Sequence, residues 1–219
     1  MAADGRVYER TAIEEYFKSK KNHRVIQSPM TSMPLKNKDL LDATQHRNII
    51  EAMLESGAIT GELADKWNQK VQAKEDLRKK AEEGDPVSIA TLLFNYMNGK
   101  NGFKKNLNEV HTLALRFHIA GCAAGTYYLA LTFLYGQGTQ RDAHQGTIYL
   151  ALCAREYDFA SLLLAREFAF GYNGVKKNRR EAIHQLEHLT SGGCSLEHLS
   201  KETKAYAKRL LAKLKKESW

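Results

Sequence analysis

His184-Gln185-Leu186-Glu187-His188 carries the sharpest chemical spacing in the chain. Imidazoles four positions apart share one face of a helix, as paired zinc ligands must, and the H-x-x-E-H order matches that of inverted zinc peptidases. The set is incomplete, because a third and distant ligand has little room in the short stretch after His188. The same five residues also fall where a helix of a repeated unit belongs, so they are read as helix surface and no metal site is expected. The remaining histidines (His23, His46, His111, His118, His144 and His198) are scattered, and none stands beside a serine or cysteine in a triad setting. Cys122, Cys153 and Cys194 form no C-x-x-C pair, and each lies among Ala, Gly or Leu, where a thiol packs as a small apolar group. A reducing, cytoplasmic compartment follows as the expectation. The glycine pairs lack a following Lys-Ser/Thr, so no phosphate loop is present and no cofactor is expected.

Composition narrows the partners. The 219 residues are 43% hydrophobic and 26% charged, an ordinary globular balance. No apolar run approaches the roughly 18 residues of a membrane span, and Met1-Ala2-Ala3-Asp4 does not open a basic-then-apolar leader. A formal charge of +8 attracts acidic partners without identifying one. Much of the excess lies in Lys-rich helical stretches at 66–80 and 201–216. With few aromatics among the lysines, these are read as solvated helix faces, and nucleic acid is not expected as a partner.

The N-terminal stretch passes from a β-like start at Val7 and Tyr8 into helical spacing. Thr11 with Glu14 has a capping-box pattern, and Ile13, Tyr16 and Phe17 fall at i, i+3, i+4 on one apolar face. A polar loop follows, then Val25-Ile26 and the rigid turn Ser28-Pro29. Leu40 and Leu41, then Ile49, Ile50, Met53 and Leu54, predict a second amphipathic helix packing back on the first and ending at Gly57. The pattern G-x-x-Y-E-R-x-x-I-E-E, then S-P-M-T-x-x-P-L, then an apolar-periodic helix, resembles the U-box family of ubiquitin ligases over about residues 4–54. The resemblance implies a zinc-free relative of the RING fold held by hydrogen bonds and ion pairs, with Tyr8, Arg10 and Ile13 in structural roles. It implies no covalent chemistry: a U-box holds a ubiquitin-loaded conjugating enzyme so that a substrate lysine attacks the thioester. The family's first strand and loop, reading roughly D-P-I-x-x-x-x-x-x-D-P-V, have no counterpart before Asp4. Ser32 stands where many members carry a basic residue, and Asp42-Ala43 stands where Pro-Asn is common. Tyr16 and Pro29 remain as docking residues for the conjugating enzyme. Tyr16 reads equally as core packing beside Ile13 and Phe17, and Pro29 as a turn former.

Residues 58–83 read as a helical connector, with Leu63, Trp67 and Val71 as a narrow apolar seam in a charged helix, until Gly84-Asp85-Pro86 breaks it. Such a helix is a spacer or a partner surface. From Gly84 the chain repeats. Counting from Gly84, Gly121 and Glu156, offset +4 gives Ser88, Gly125 and Ala160, and offset +8 gives Leu92, Leu129 and Leu164. Offset +12 gives Tyr96, Phe133 and Phe168, and offset +15 gives Gly99, Gly136 and Gly171. Small residue, leucine and aromatic make the buried stripe of a helix that a glycine ends, and Asn106, Asp142 and Asn178 are placed to cap the next one. The phrase A-x-x-G-x-x-x-[AS]-x-x-x-L-x-x-x-[YF]-x-x-G resembles the Sel-one-like repeats, relatives of the tetratricopeptide family. That resemblance implies an α-solenoid that binds proteins.

The expected fold is mostly α: a small α+β U-box remnant (1–56), a helical connector (57–83), three repeats in a solenoid (84–190) and a C-terminal capping helix (191–219) in which Leu199, Tyr206, Leu210 and Leu214 cover the open end. The leading functional reading is a U-box-type ubiquitin ligase whose solenoid binds a protein substrate or partner. The alternative is a non-catalytic interaction scaffold with a degenerate U-box.

Overall fold

Three asparagine or aspartate side chains set the rhythm of the structure, a computed structural model that describes residues 1–4, 6, 8, 10–20, 25–40, 44–191 and 199–216. Asn106 Oδ1 accepts from Glu109 N, Asp142 Oδ1 from Gln145 N and Asn178 Oδ1 from Glu181 N. Each side chain thus satisfies an amide that the helix itself leaves unpaired. These three residues start α5 (Leu107–Ile119), α7 (Ala143–Cys153) and α9 (Arg179–Thr190). Each pairs with the helix before it: α4 (Pro86–Asn98), α6 (Ala123–Tyr135) and α8 (Asp158–Phe170). A second link closes each hairpin, for the cap's own N–H donates to the carbonyl of the +12 aromatic. The three bonds, Asn106 to Tyr96, Asp142 to Phe133 and Asn178 to Phe168, are all 2.9 Å.

Gly136 shows why the turn needs its glycine. It caps α6 at φ 65°, in the left-handed region that costs an L side chain about 1–2 kcal/mol, and Gly99 and Gly171 do the same in their repeats. The predicted stripe is buried at all nine +4, +8 and +12 positions except for partial exposure of the three aromatics. Consecutive helices from α4 to α9 pack in sequence, and α4 also packs on α6. This is an α-solenoid. Its core forms three clusters that share Tyr127, Tyr149, Tyr157 and Phe168, so the apolar interior is continuous from repeat to repeat.

The chain divides into two compact units, Met1–Asn68 and Gln69–Trp219, and the boundary falls inside α3 (Glu62–Glu82). From Gln69 onward α3 belongs with the repeats: Ala81 is buried and Leu77 partly buried in the first repeat's cluster. Of the seam expected in the connector, Val71 is exposed and Trp67 half-buried. The inward positions of this part are instead Leu77 and Ala81, four apart. At the other end α10 (Lys201–Lys216) packs on α9, burying Leu199, Ala207, Leu210 and Leu214. Tyr206 is exposed, correcting its expected place in the cap. Ala207, three residues before Leu210, takes that position.

The N-terminal unit contains α1 (Arg10–Ser19), α2 (Thr44–Glu55) and the start of α3. Ile13, Phe17 and Ile26 are its buried core, with Tyr8, Tyr16, Leu35 and Leu40 packed against them. Three expectations are corrected here. The helix begins at Arg10, which puts Thr11 inside it and not at the cap. Leu40 precedes α2 and joins the core of α1, while Ile49 and Met53 of α2 are exposed. Among the described residues no strand forms, and β structure is limited to one antiparallel bridge between Gln27 and Pro34. No helix among them is long and apolar enough to cross a membrane.

Candidate interaction surfaces

The turn at Ser28 is built around one hydroxyl. Ser28 is 2% exposed, and its Oγ accepts from the amides of Met30 (3.2 Å) and Thr31 (3.0 Å). The Tyr8 hydroxyl lies 3.0 Å from the same oxygen and donates to Asp4 Oδ2 at 2.7 Å. Hydrogen bonding by Ser28 holds the Asp4 carboxyl well below its ordinary range, at about 2, with smaller help from Tyr8 and the Arg6 amide. Pro29 stands exposed on this turn. Tyr16 is half-buried, and its hydroxyl donates to the Gln27 carbonyl at 2.9 Å. Ile13 sits in the core, and Arg10 starts α1 with a side chain outside the described residues. Ser32 is exposed at φ 57°, while Asp42-Ala43 lie outside the described residues. The sequence singles out Tyr8 but not Asp4, whose role depends on a serine distant in the chain.

On the solenoid, the second helices of the first two repeats expose large apolar side chains. Leu115 and Ile119 do so on α5, Ile148 and Leu152 on α7; Ile119 is 77% exposed and Leu152 62%. The two helices approach where the rings of His118 and Tyr149 meet edge-on at 5.0 Å, and the exposed side chains flank both partners of that contact. The next inter-repeat groove, of about 250 Å³, is mixed: Arg155, Glu181, His184, Gln185 and His188 line it together with Leu164 and Phe168.

His184 and His188 therefore do share a face, but the rest of the zinc motif does not join them. Glu187 Oε1 pairs with Lys215 Nζ at 2.6 Å on the α10 side, while His184 Nδ1 lies 3.6 Å from Glu181 Oε1. Among the described residues no three His, Cys, Asp or Glu side chains are arranged to hold a metal ion. Burial pushes the Cys153 thiol up to about 12, which makes it a packing group and a poor nucleophile. Cys122 is half-buried, and Cys194 lies outside the described residues.

Another set of residues escaped the repeat count. Offset +11 is polar and buried in every copy: Asn95, Thr132 and Glu167. In the first and third repeats an asparagine at positive φ in the loop donates to it. Asn101 Nδ2 reaches Asn95 Oδ1 at 3.0 Å, and Asn173 Nδ2 reaches both oxygens of Glu167 at 3.1 Å. The second loop has Gly138 instead, and Thr132 bonds His111 Nδ1 at 2.9 Å and the Leu129 carbonyl at 2.7 Å. The recurring Gly-x-Asn-Gly of the first and third loops was the available signal.

No family model matches the chain, and no curated protein matches it. Among solved structures it is similar to a Sel1 repeat protein from Oxalobacter formigenes at 22% identity, with 49% of this chain and 43% of that chain covered and a TM-score of 0.44. It is also similar to c5321, a protective antigen present in uropathogenic Escherichia coli strains displaying an SLR fold, at 17% identity. There 74% of this chain and 43% of that one are covered, with a TM-score of 0.31. The chain spans less than half the length of either.

Proposed function

We propose that this chain is a non-catalytic protein-interaction scaffold whose solenoid holds a partner segment along α5 and α7. The observation that carries the reading is the exposure of Leu115, Ile119, Ile148 and Leu152 on two successive second helices. Single exposed apolar residues are normal on any protein and need no partner. Four of them stand exposed, two on each of two helices that meet at one ring contact. Complete burial of a Leu or Ile side chain contributes about 1.5–3 kcal/mol, so all four together are needed to offset the cost of association, about 4–15 kcal/mol. The free thiols at Cys122 and Cys153 suit a reducing, cytoplasmic setting. Peptides selected on the protein from a random display library should lose on the order of tenfold or more in affinity with Ile119→Asp or Leu152→Asp, whose urea midpoints stay near wild type. Selected peptides that bind these variants as well as wild type would refute the assignment.

A second reading, a U-box-type ubiquitin ligase, draws support from the Asp4–Tyr8–Ser28 hydrogen bonds, which close the Ser28 turn without a metal, and from the exposure of Pro29 beside them. It rests on the resemblance over residues 4–54. In that reading Pro29 and Tyr16 face the conjugating enzyme, and a substrate occupies the solenoid. Ubiquitination assays with a panel of conjugating enzymes decide it: chain formation that Pro29→Ala abolishes supports docking at the turn, and no chains with any enzyme rejects the activity for this chain.

A further inference from the structure

The groove between α9 and α10 differs in chemistry from the rest of the solenoid. It encloses about 550 Å³ and is lined by Arg179, Arg180, Ile183, His184, Glu187 and Lys215. The carboxylate that lines it, Glu187, is engaged within the protein, paired with Lys215. Arg179 is occupied structurally, donating from Nε to the Leu214 carbonyl at 2.6 Å and so tying the start of α9 to the end of α10. Arg180 is exposed. Beyond the groove, α10 carries seven lysines and arginines against the single Glu202.

The fold does not demand this charge. The two residues after the cap are Leu107-Asn108 in the first repeat and Ala143-His144 in the second, and both helices form normally. Only the third repeat has Arg179-Arg180 there. Cations in a first turn oppose the helix dipole, and Lys176 and Lys177 just before the cap add like charge. A helix face that merely needs water would carry mixed signs. A surplus of one sign placed where it weakens the helix is what an anionic partner would offset.

We propose that the α9–α10 groove is the docking site for an acidic peptide segment of a partner protein. Its carboxylates meet Arg180 and, in exchange for Glu187, Lys215, and an apolar side chain between them seats on Ile183. The proposal rests on the scaffold reading and names the chemistry of what the scaffold holds at its third repeat. A peptide is favoured over nucleic acid because the apolar side chain of Ile183 lies in the groove and no Phe, Tyr or Trp is among its described lining residues for base stacking.

The test is fluorescence anisotropy on the full chain with a short labelled peptide of glutamates around a central leucine. Arg180→Glu should weaken binding on the order of tenfold, whereas Lys79→Glu on α3, an equal change in net charge, should weaken it less than about twofold. Circular dichroism melts establish that both variants are folded. Equal weakening by the two variants would overturn the proposal in favour of diffuse attraction. Tighter binding of oligothymidylate, lost on Arg180→Glu, would overturn it in favour of nucleic acid. Leu152→Asp, which tests the scaffold reading, should leave this peptide's affinity unchanged. If wild type does not bind the peptide while library-selected peptides still depend on Leu152, the inference falls and the scaffold stands.

Discussion

Asp4 and Glu167 are both carboxylates drawn into hydrogen bonds, and their environments move them in opposite directions. Asp4 is depressed from 3.8 to about 2, so its contribution to stability is complete above the ordinary value and is lost as pH falls toward 2. Ser28→Ala should return the Asp4 carboxyl toward 3.8 in an NMR titration, and an unchanged value would remove Ser28 as the cause. Glu167 is 1% exposed, and burial raises its pKa despite the Asn173 amide. Its folded form therefore holds a proton that the unfolded chain has released, and stability falls as pH rises through that window. Glu167→Gln should flatten this decline in urea denaturation followed from pH 4 to 7. Asn95 occupies the same register position without charge, so the fold tolerates a neutral group there. Tyr8 was picked out in the sequence because its flanking motif is local. Asp4 and Glu167 were not, since one depends on Ser28 and the other reads by type as solvent-facing.

The helices owe their boundaries to side chains that the sequence displays openly. Small, Leu and aromatic positions four apart expose a helix period, and Asn or Asp at intervals of 36 gives its starts, so α4 to α9 could be read before the structure. The cap at Asn106 should be worth about 1 kcal/mol, measured as the loss of unfolding free energy on Asn106→Ala. Asn106→Asp keeps the acceptor and should recover most of it. Gly125 is a different case. A Cβ there would sit 2.5 Å from Phe117 Cβ, so Gly125→Ala must push α6 off α5 and should cost about 1–3 kcal/mol in the same assay. What escaped the sequence was the inward face of α3, expected only as a connector helix. Its charge hides the inward pair Leu77 and Ala81, because one leucine and one alanine make a weak periodic signal beside eight charged neighbours.

Across the molecule, each repeat is supported by its neighbours, and the far side of the last is covered by α10. Stability in such an array is a sum of local units and their interfaces. Leu214→Ala, removing a side chain buried against α9, should therefore speed amide exchange in α8 and α9 while leaving α4 and α5 near their wild-type protection. Equal acceleration in all four helices would show a single cooperative unit instead. The solenoid was legible because its contacts are local and repeated. The N-terminal unit was expected from a resemblance alone: the Tyr8–Ser28 hydrogen bond joins residues far apart in sequence, and the expected β character comes down, among the described residues, to the Gln27–Pro34 bridge.

The shared tyrosines of the repeat core have a consequence under alkaline conditions. The rings of Tyr127 and Tyr157 lie 5.0 Å apart, with Tyr128 against Tyr127 at 5.4 Å. Burial raises all three phenols, Tyr157 to about 12. Raised phenols stabilise the fold below the ordinary value of 10.0, and that contribution drains away as pH climbs through the shifted range. The junction between the second and third repeats, where these phenols meet, should therefore lose stability in strong alkali, which a urea midpoint followed above pH 10 would read.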